Sequence, residues 1–304
     1  MHLTSAPPRC ENLQRSIHGE TPYRSSMELR SQIRRQRATW GWNSGYGELL
    51  KVLDKLGPSA NTFCDIPRRD RLAAEMSYAT GMRLEEVCSL KVRQILDIAH
   101  HVDKHDPYKS IGLRLSMTKG LRPGEVFLPS ALVQEIFNYI NGERRKTIAL
   151  ACGLSPQVSR DCGSLFLNGV GANYRDIGKP LQGDTLSRRF SKAVLEAGLV
   201  MREESFKLDD AGIPIVRSDG SYATTVRQVN SHTFHDLRHT FAVNRYLAGI
   251  AVGEKEPWKK VQVLLRHRSL KTTTDIYLRW VETKEEIISD GHHAVLRTIY
   301  EMAA

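Results

Sequence analysis

Residues 232–242 read HTFHDLRHTFA, and the helical periodicity that resumes at Leu237 continues through Ala248. His235 and Arg238 lie three residues apart, so they share one face of the predicted helix. Phosphodiester chemistry needs cations around the phosphorus, a nucleophile and a proton donor for the leaving oxygen, and this pair supplies part of that set. The chain has 11 histidines and 44 Lys and Arg residues, so one such pair is also expected by chance. Whether this pair is functional therefore depends on the other residue clusters in the chain.

Two further clusters flank this stretch. Upstream, residues 80–90 read TGMRLEEVCSL: the pattern predicts a helix from about Arg69 that ends at Gly81, and a second helix that Arg83 opens. There Arg83 would be a bidentate phosphate ligand, although an isolated arginine is more often a surface charge. Downstream, residues 261–280 read VQVLLRHRSLKTTTDIYLRW, in which His267 follows a helix and Tyr277 sits one turn into the next. A lone tyrosine is most often a packing residue.

A short antiparallel sheet is predicted between these clusters. Apolar residues alternate with polar ones from Ile111 to Met117, KGLRPG turns the chain, and EVFLP returns as the partner strand. Lys119 therefore sits at the strand end beside the turn, and Ser130 is predicted to cap the next helix. Residues 184–198 have a helical pattern, and 201–230 are interpreted as an inserted β-hairpin or flap. The predicted fold class is α+β, mainly α, with a small antiparallel β-sheet.

Length and charge narrow the class of protein. With 304 residues, two domains are the prior expectation, and 44 Lys and Arg against 34 Asp and Glu give a net charge of +10. Such a balance makes a polyanion the first partner to test. The sequence has no apolar run long enough to cross a bilayer and no secretory leader pattern, so we expect a cytoplasmic protein without membrane contact. Five cysteines without a CxxC pair or matching His spacing argue against disulfides and a zinc site.

The first 45 residues form a basic arm in this interpretation. Seven arginines lie within them against three glutamates. A short helix through QIRRQR could lie along phosphates, and a solvated, partly disordered tail is an equal alternative.

The three clusters occur together, in order and with suitable spacing, and as a set they resemble the tyrosine recombinase (phage integrase) family over roughly residues 65–285. ATGMRLEEVCSLK resembles the family's first arginine box, with its acidic residue at Glu86, and SMTKGLRPGEVFLP resembles the hairpin that carries its lysine. SLFLN, residues 164–168, is similar to the segment that follows. HDLRHTFA matches the second box almost letter for letter, and LLRHRSLKTTTDIYLR resembles the last one.

The resemblance implies a role for each of six residues. Tyr277 would attack the scissile phosphate to give a 3′-phosphotyrosyl link, and Lys119 would protonate the 5′ leaving oxygen. His235 would be the general base toward the tyrosine. The phosphate oxygens would be bound by Arg83, Arg238 and His267. It also implies that neither a cofactor nor a metal takes part.

The chain differs from the family pattern at three points. Arg266 stands where the family usually has Gly, so that its side chain would either crowd the site or contact DNA. Tyr277 lies ten positions after His267, one more than is common. Residues 1–45 are too few for the family's complete core-binding domain, so we expect a catalytic domain over 46–304 with the hairpin insertion at 201–230.

The resulting expectation is a site-specific DNA recombinase or integrase that acts on double-stranded DNA, as a homo-oligomer resembling the family's tetramer. Two alternatives stay open. One is a catalytically impaired, shortened integrase that acts as a DNA-binding protein, and the other is a monomeric topoisomerase. Formation of a covalent DNA adduct would distinguish an active recombinase from the first alternative. Relaxation of unrelated supercoiled plasmids would favour the second.

Overall fold

The computed structural model describes residues 46–59, 68–116, 124–154, 161–169 and 171–271. This part of the chain is mainly helical, with two antiparallel strand pairs, as the sequence predicts. In chain order, the elements up to the first strand pair are α1 (Tyr46–Leu56), α2 (Arg69–Thr80), α3 (Leu84–Ser89), α4 (Val92–Ala99), β1 (Ser110–Leu115) and β2 (Gly124–Pro129). The later ones are α5 (Ser130–Tyr139), a π-helical turn (Ile140–Arg144), α6 (Arg145–Leu154), α7 (Gly183–Glu196), β3 (Val200–Phe206), β4 (Thr224–Asn230), α8 (Phe234–Ala251) and α9 (Pro257–Leu265).

The first hairpin has the register that its alternating sequence predicts. Ile111 pairs with Leu128 and Leu113 with Val126, and all four side chains are buried. Because successive strand residues point to opposite faces, this register directs the whole apolar set to one side of the pair. Lys119, predicted at the end of β1, lies outside the described residues.

Helix α2 is at the centre of the core. Its Leu72, Ala73 and Met76 are completely buried, and the helix packs against α1, β2, α5, α7 and α8. Because elements on several sides contact α2, the turn at its carboxyl end has a fixed position in the fold.

The hydroxyl of Ser130 does not cap α5, so this prediction is wrong. The first residue before the helix is Pro129, which makes no side-chain cap bond. Ser130 Oγ instead accepts a bond from the backbone N–H of Asp103 (2.7 Å) and donates to its carbonyl (3.0 Å). A buried hydroxyl is satisfied equally well by this pair, which ties the loop after α4 to the start of α5.

The segment from 201 to 230 contains the second hairpin. β3 and β4 pair from Val200 with Asn230 to Phe206 with Thr224, and two further bridges lie beyond them. Met201 at its base is buried, whereas Leu208 and Ile213 near its tip are more than half exposed.

No helix within the described ranges is both long enough and apolar enough to cross a membrane.

Candidate functional site: a cluster of guanidinium and imidazole groups

Gly81 brings the turn between α2 and α3 into direct contact with α8 and α9. The residue ends α2 with φ +66°, and its N–H donates to Ser77 O (2.9 Å). A β-carbon here would lie 2.5 Å from Cδ1 of Phe241 and 2.8 Å from Cδ2 of Leu265. Only glycine accommodates both this backbone conformation and this close approach. The turn therefore holds Arg83, two residues later, beside both helices.

Glu86 fixes the guanidinium of Arg83. The Glu86 carboxylate accepts the backbone N–H of Arg83 at Oε2 and its Nη1 at Oε1, both at 2.8 Å. The first of these bonds satisfies an amide at the start of α3 that has no partner within the helix. The Glu86 side chain is only 3% exposed, whereas that of Arg83 is 25% exposed. Arg83 is thus held from one side and open to solvent on the other.

Arg238 is a buried charge that joins three segments of the chain. The residue is 1% exposed, and its Nη1 donates to the carbonyl of Gly81. Its Nη2 donates to Leu265 O (2.6 Å) and to Nε2 of His267 (3.1 Å). A charge is tolerated in the interior when several acceptors surround it. Arg238 consequently fixes the distance between the α2–α3 turn and the end of α9.

His267 follows a Schellman turn at the end of α9. Arg266 N donates to Val263 O (2.9 Å) and His267 N to Gln262 O (3.1 Å), the pattern in which the residue after the helix is left-handed. Burial and the positive charge of Arg238 lower the pKa of His267 to about 4. The ring is therefore neutral at pH 7, and because Nε2 accepts a bond from Arg238, its hydrogen is on Nδ1.

The other two histidines of the cluster lie on the first two turns of α8. Asp236 begins this helix by accepting the N–H of Thr233 (2.6 Å). The rings of His235 and His239 meet edge to face, with centroids 4.6 Å apart. Burial and then Arg238 lower the pKa of His235, while burial and then His235 lower that of His239 to about 3. Both rings are therefore neutral at pH 7.

Arg266, which the sequence places where the family pattern usually has glycine, adds a third guanidinium to the cluster and turns to Glu86. Its Nη2 donates to Oε2 of Glu86 (2.5 Å), and only 12% of its side chain is exposed. Burial on its own would raise the pKa of Glu86, but Arg266 and then Arg83 outweigh it and hold that pKa below its ordinary value. Since the two residues are 180 positions apart, no local pattern could have indicated the pair.

The structure brings four of the six predicted site residues together: Arg83, His235, Arg238 and His267. Tyr277 and Lys119 lie outside the described residues. The cluster contains the guanidinium groups of Arg83, Arg238 and Arg266, and Glu86 pairs with the first and the third of them. This excess of guanidinium groups suits an anion such as a phosphodiester. In the described part of the chain, no group of three or more His, Cys, Asp or Glu side chains is arranged to hold a metal.

Comparison with known proteins relates this geometry to a family. The phage integrase family matches residues 51–283, well over half of the chain. Tyrosine recombinase XerC of Chlamydia trachomatis is 25% identical over 224 residues, which cover 74% of this chain and 51% of that protein. Tyrosine recombinase XerA of Pyrococcus furiosus is 28% identical over 211 residues, 69% and 50% of the two chains.

A solved structure of the XerH site-specific recombinase on a palindromic difH substrate, in a post-cleavage complex, is 20% identical. The superposition has a TM-score of 0.46 and covers 81% of this chain and 51% of the XerH chain. The chain spans about half the length of the curated relatives it matches. The extent of the family match shows that this protein belongs to the phage integrase family.

Proposed function

We propose that this protein is a site-specific DNA recombinase that cleaves and rejoins DNA through a 3′-phosphotyrosyl intermediate on Tyr277. The observation that carries the proposal is the position of Arg238. Its buried guanidinium holds Gly81 and Leu265 together, so that Arg83 and His267 lie at one anion-binding cluster. Membership of the phage integrase family supports DNA breaking and rejoining as the reaction class.

In the proposed step the phenolic oxygen of Tyr277 attacks the scissile phosphorus, and the bond from phosphorus to the 5′ oxygen breaks. His235, neutral in the free protein, takes the phenolic proton, and Lys119 gives a proton to the departing oxygen. A phenol with a pKa near 10 is a weak nucleophile, so a nearby base and cations are needed to stabilise its anion. The products are a phosphotyrosyl ester and a free 5′-hydroxyl.

Arg83 and Arg238 stabilise the charge that develops on the phosphate oxygens in this step. His267 has its hydrogen on Nδ1 and can donate it to the same phosphate, while Nε2 stays bound to Arg238. The phosphotyrosyl ester is as energy-rich as the bond it replaces, so a second 5′-hydroxyl reverses the reaction without ATP. Two duplexes and a tetramer of the protein complete the exchange in this proposal.

A suicide substrate tests the proposal. A duplex nicked near the cleavage point loses its short 5′ fragment, so that the covalent complex accumulates and is seen on a denaturing gel. Candidate sites come from the DNA that flanks the gene. We expect an adduct with the wild-type protein and none with Tyr277→Phe.

Tyr246→Phe is the matched control, because Tyr246 stacks on Trp258 with ring centroids 3.8 Å apart and phenylalanine keeps that contact. This variant should form the adduct at the wild-type rate. DNA binding without an adduct at any candidate site would favour the alternative of an impaired integrase that only binds DNA. An adduct that persists in Tyr277→Phe would show that another residue is the nucleophile.

A further inference from the structure

Arg266 occupies a backbone position that favours glycine. It has φ +57° and ψ +40°, and it is the one residue other than glycine with a positive φ in the described ranges. The left-handed conformation costs residues with a β-carbon on the order of 1 kcal/mol relative to glycine. The buried Nε of Arg266 also has no hydrogen-bond partner in the described part of the chain. Two unfavourable features at one residue of a functional cluster are typical of a residue retained for function.

Two favourable interactions offset them: the ion pair with Glu86 and a bond from Nη1 to the carbonyl of Leu264 (2.9 Å). The carboxylate of Glu86 accepts a hydrogen bond from Nη1 of Arg83 at Oε1 and one from Nη2 of Arg266 at Oε2. Without Arg266, a carboxylate that is 3% exposed would have Arg83 as its only cationic partner, and its negative charge would face the phosphate of a bound DNA. A buried carboxylate with one guanidinium forms a neutral pair, whereas the same carboxylate between two guanidiniums leaves a net positive charge.

Arg83 keeps donors for a ligand in this arrangement. Among the described residues, it donates only from its backbone N–H and from Nη1, both to Glu86. Its Nε and Nη2 therefore remain for the oxygens of an anion.

We propose that Arg266 is a positioning residue that neutralises Glu86 and thereby leaves the Arg83 guanidinium oriented and available for the scissile phosphate. The proposal rests on the proposed function for the identity of that phosphate. Arg266 acts here through Glu86 and does not itself bind DNA.

Arg266→Gly is the principal test, because glycine favours the left-handed turn and the variant should fold. We expect its single-turnover cleavage of the suicide substrate, at saturating protein, to be about tenfold slower than wild type, in the range for coupled charged neighbours. Arg266→Lys keeps the charge and should lose clearly less. The melting temperatures of the two variants should not follow the order of their cleavage rates, because glycine removes backbone strain that lysine retains.

The double variant with Glu86→Gln separates action through Glu86 from a general loss of charge. Once Glu86 is neutral, Arg266 has no carboxylate to compensate, so the double variant should cleave no more slowly than Glu86→Gln alone. Arg268→Gln is the matched control, since it removes one exposed positive charge two residues away and should leave the cleavage rate unchanged.

DNA affinity, measured in the Tyr277→Phe background, gives a second readout. Arg266→Gly should weaken binding more than Arg268→Gln does, and Glu86→Gln should cancel the difference. If these differences in affinity are seen but the wild-type protein forms no adduct, the result would reject the proposed function and support the role of Arg266. A wild-type adduct with unchanged cleavage and affinity in Arg266→Gly would reject the role of Arg266 and leave the function standing. The proposed role of Arg266 would also be overturned if the losses in cleavage rate caused by Arg266→Gly and Glu86→Gln simply multiplied in the double variant.

Discussion

Arg238 shows how a single charged residue can organise a site from inside the protein. Its guanidinium is as buried as the leucines around it, yet it has three acceptors on two different segments. Replacing it would leave those acceptors without their donor and remove the positive charge that affects His235 and His267. The electrostatic character of the cluster is thus set by a residue that hardly reaches the surface.

The low pKa of His267 makes stability depend on pH at this residue. In the unfolded chain the ring titrates near 6.5, and in the folded protein near 4. The unfolded state therefore binds more protons between these values, so the free energy of unfolding should fall as the pH drops from 6.5 to 4, by roughly 2–3 kcal/mol for this ring. Denaturant unfolding across that range measures it.

His267→Gln should make this dependence shallower, because glutamine offers an acceptor to Arg238 but does not titrate. His235 and His239, whose pKa values are also lowered, keep their own contributions. The exposed His105 provides the control, and His105→Gln should keep the wild-type dependence on pH. An equally steep loss of stability in His267→Gln would show that other groups are responsible for it.

The partners of some side chains could not be predicted from the sequence. The sequence indicated that position 266 departs from the usual glycine, but not that its side chain would turn to Glu86. Backbone conformation at one residue and a pairing across 180 positions both depend on the assembled fold. For the same reason Ser130 was assigned to its own helix, whereas its hydroxyl bonds to Asp103 on another segment.

At the scale of elements, sequence patterns were most informative where local rules decide the structure. The helix predicted from about Arg69, ending at Gly81, is α2 (Arg69–Thr80), and the strand predicted from Ile111 is β1 (Ser110–Leu115). Glycine at a helix end and strict alternation in a strand are local signals. The π-helical turn at Ile140–Arg144 was not predicted, since it inserts into a continuous helical pattern and leaves the apolar spacing readable as α-helix.

The turn between α2 and α3 offers a test of how tightly elements are packed. Gly81→Ala places a methyl group against Phe241 and Leu265 in a left-handed conformation, so it should lower the free energy of unfolding by about 2–4 kcal/mol. It should also slow cleavage, because the turn that carries Arg83 must shift. Chemical denaturation and the suicide substrate measure the two effects.

Gly153→Ala is the control for this change. Gly153 lies on α6, and a β-carbon there would have no neighbour within 4 Å, so alanine should leave stability unchanged or raise it slightly. Equal effects of the two substitutions would contradict the close packing described for Gly81.

At the scale of the whole molecule, the net charge of +10 should govern the electrostatic attraction to DNA in the proposed function. Each phosphate neutralised by Lys or Arg releases counterions, so affinity falls steeply as salt rises. With about six to ten phosphate contacts, DNA affinity should drop by roughly 10³- to 10⁵-fold between about 50 and 200 mM salt. Fluorescence anisotropy with Tyr277→Phe and a labelled duplex measures this without covalent trapping. A nearly flat salt dependence would contradict binding dominated by phosphate contacts.

Arg238 and Gly81 are 157 positions apart along the chain, and Arg266 and Glu86 are 180 apart. During synthesis the ribosome releases α2 and α3 long before α8 and α9, and domains fold as their segments emerge. The guanidinium cluster therefore cannot close until α9 has been made. A nascent or truncated chain that ends before residue 257 lacks α9 and therefore cannot complete this cluster, so the arrangement proposed to bind a phosphate forms only after α9 has been made.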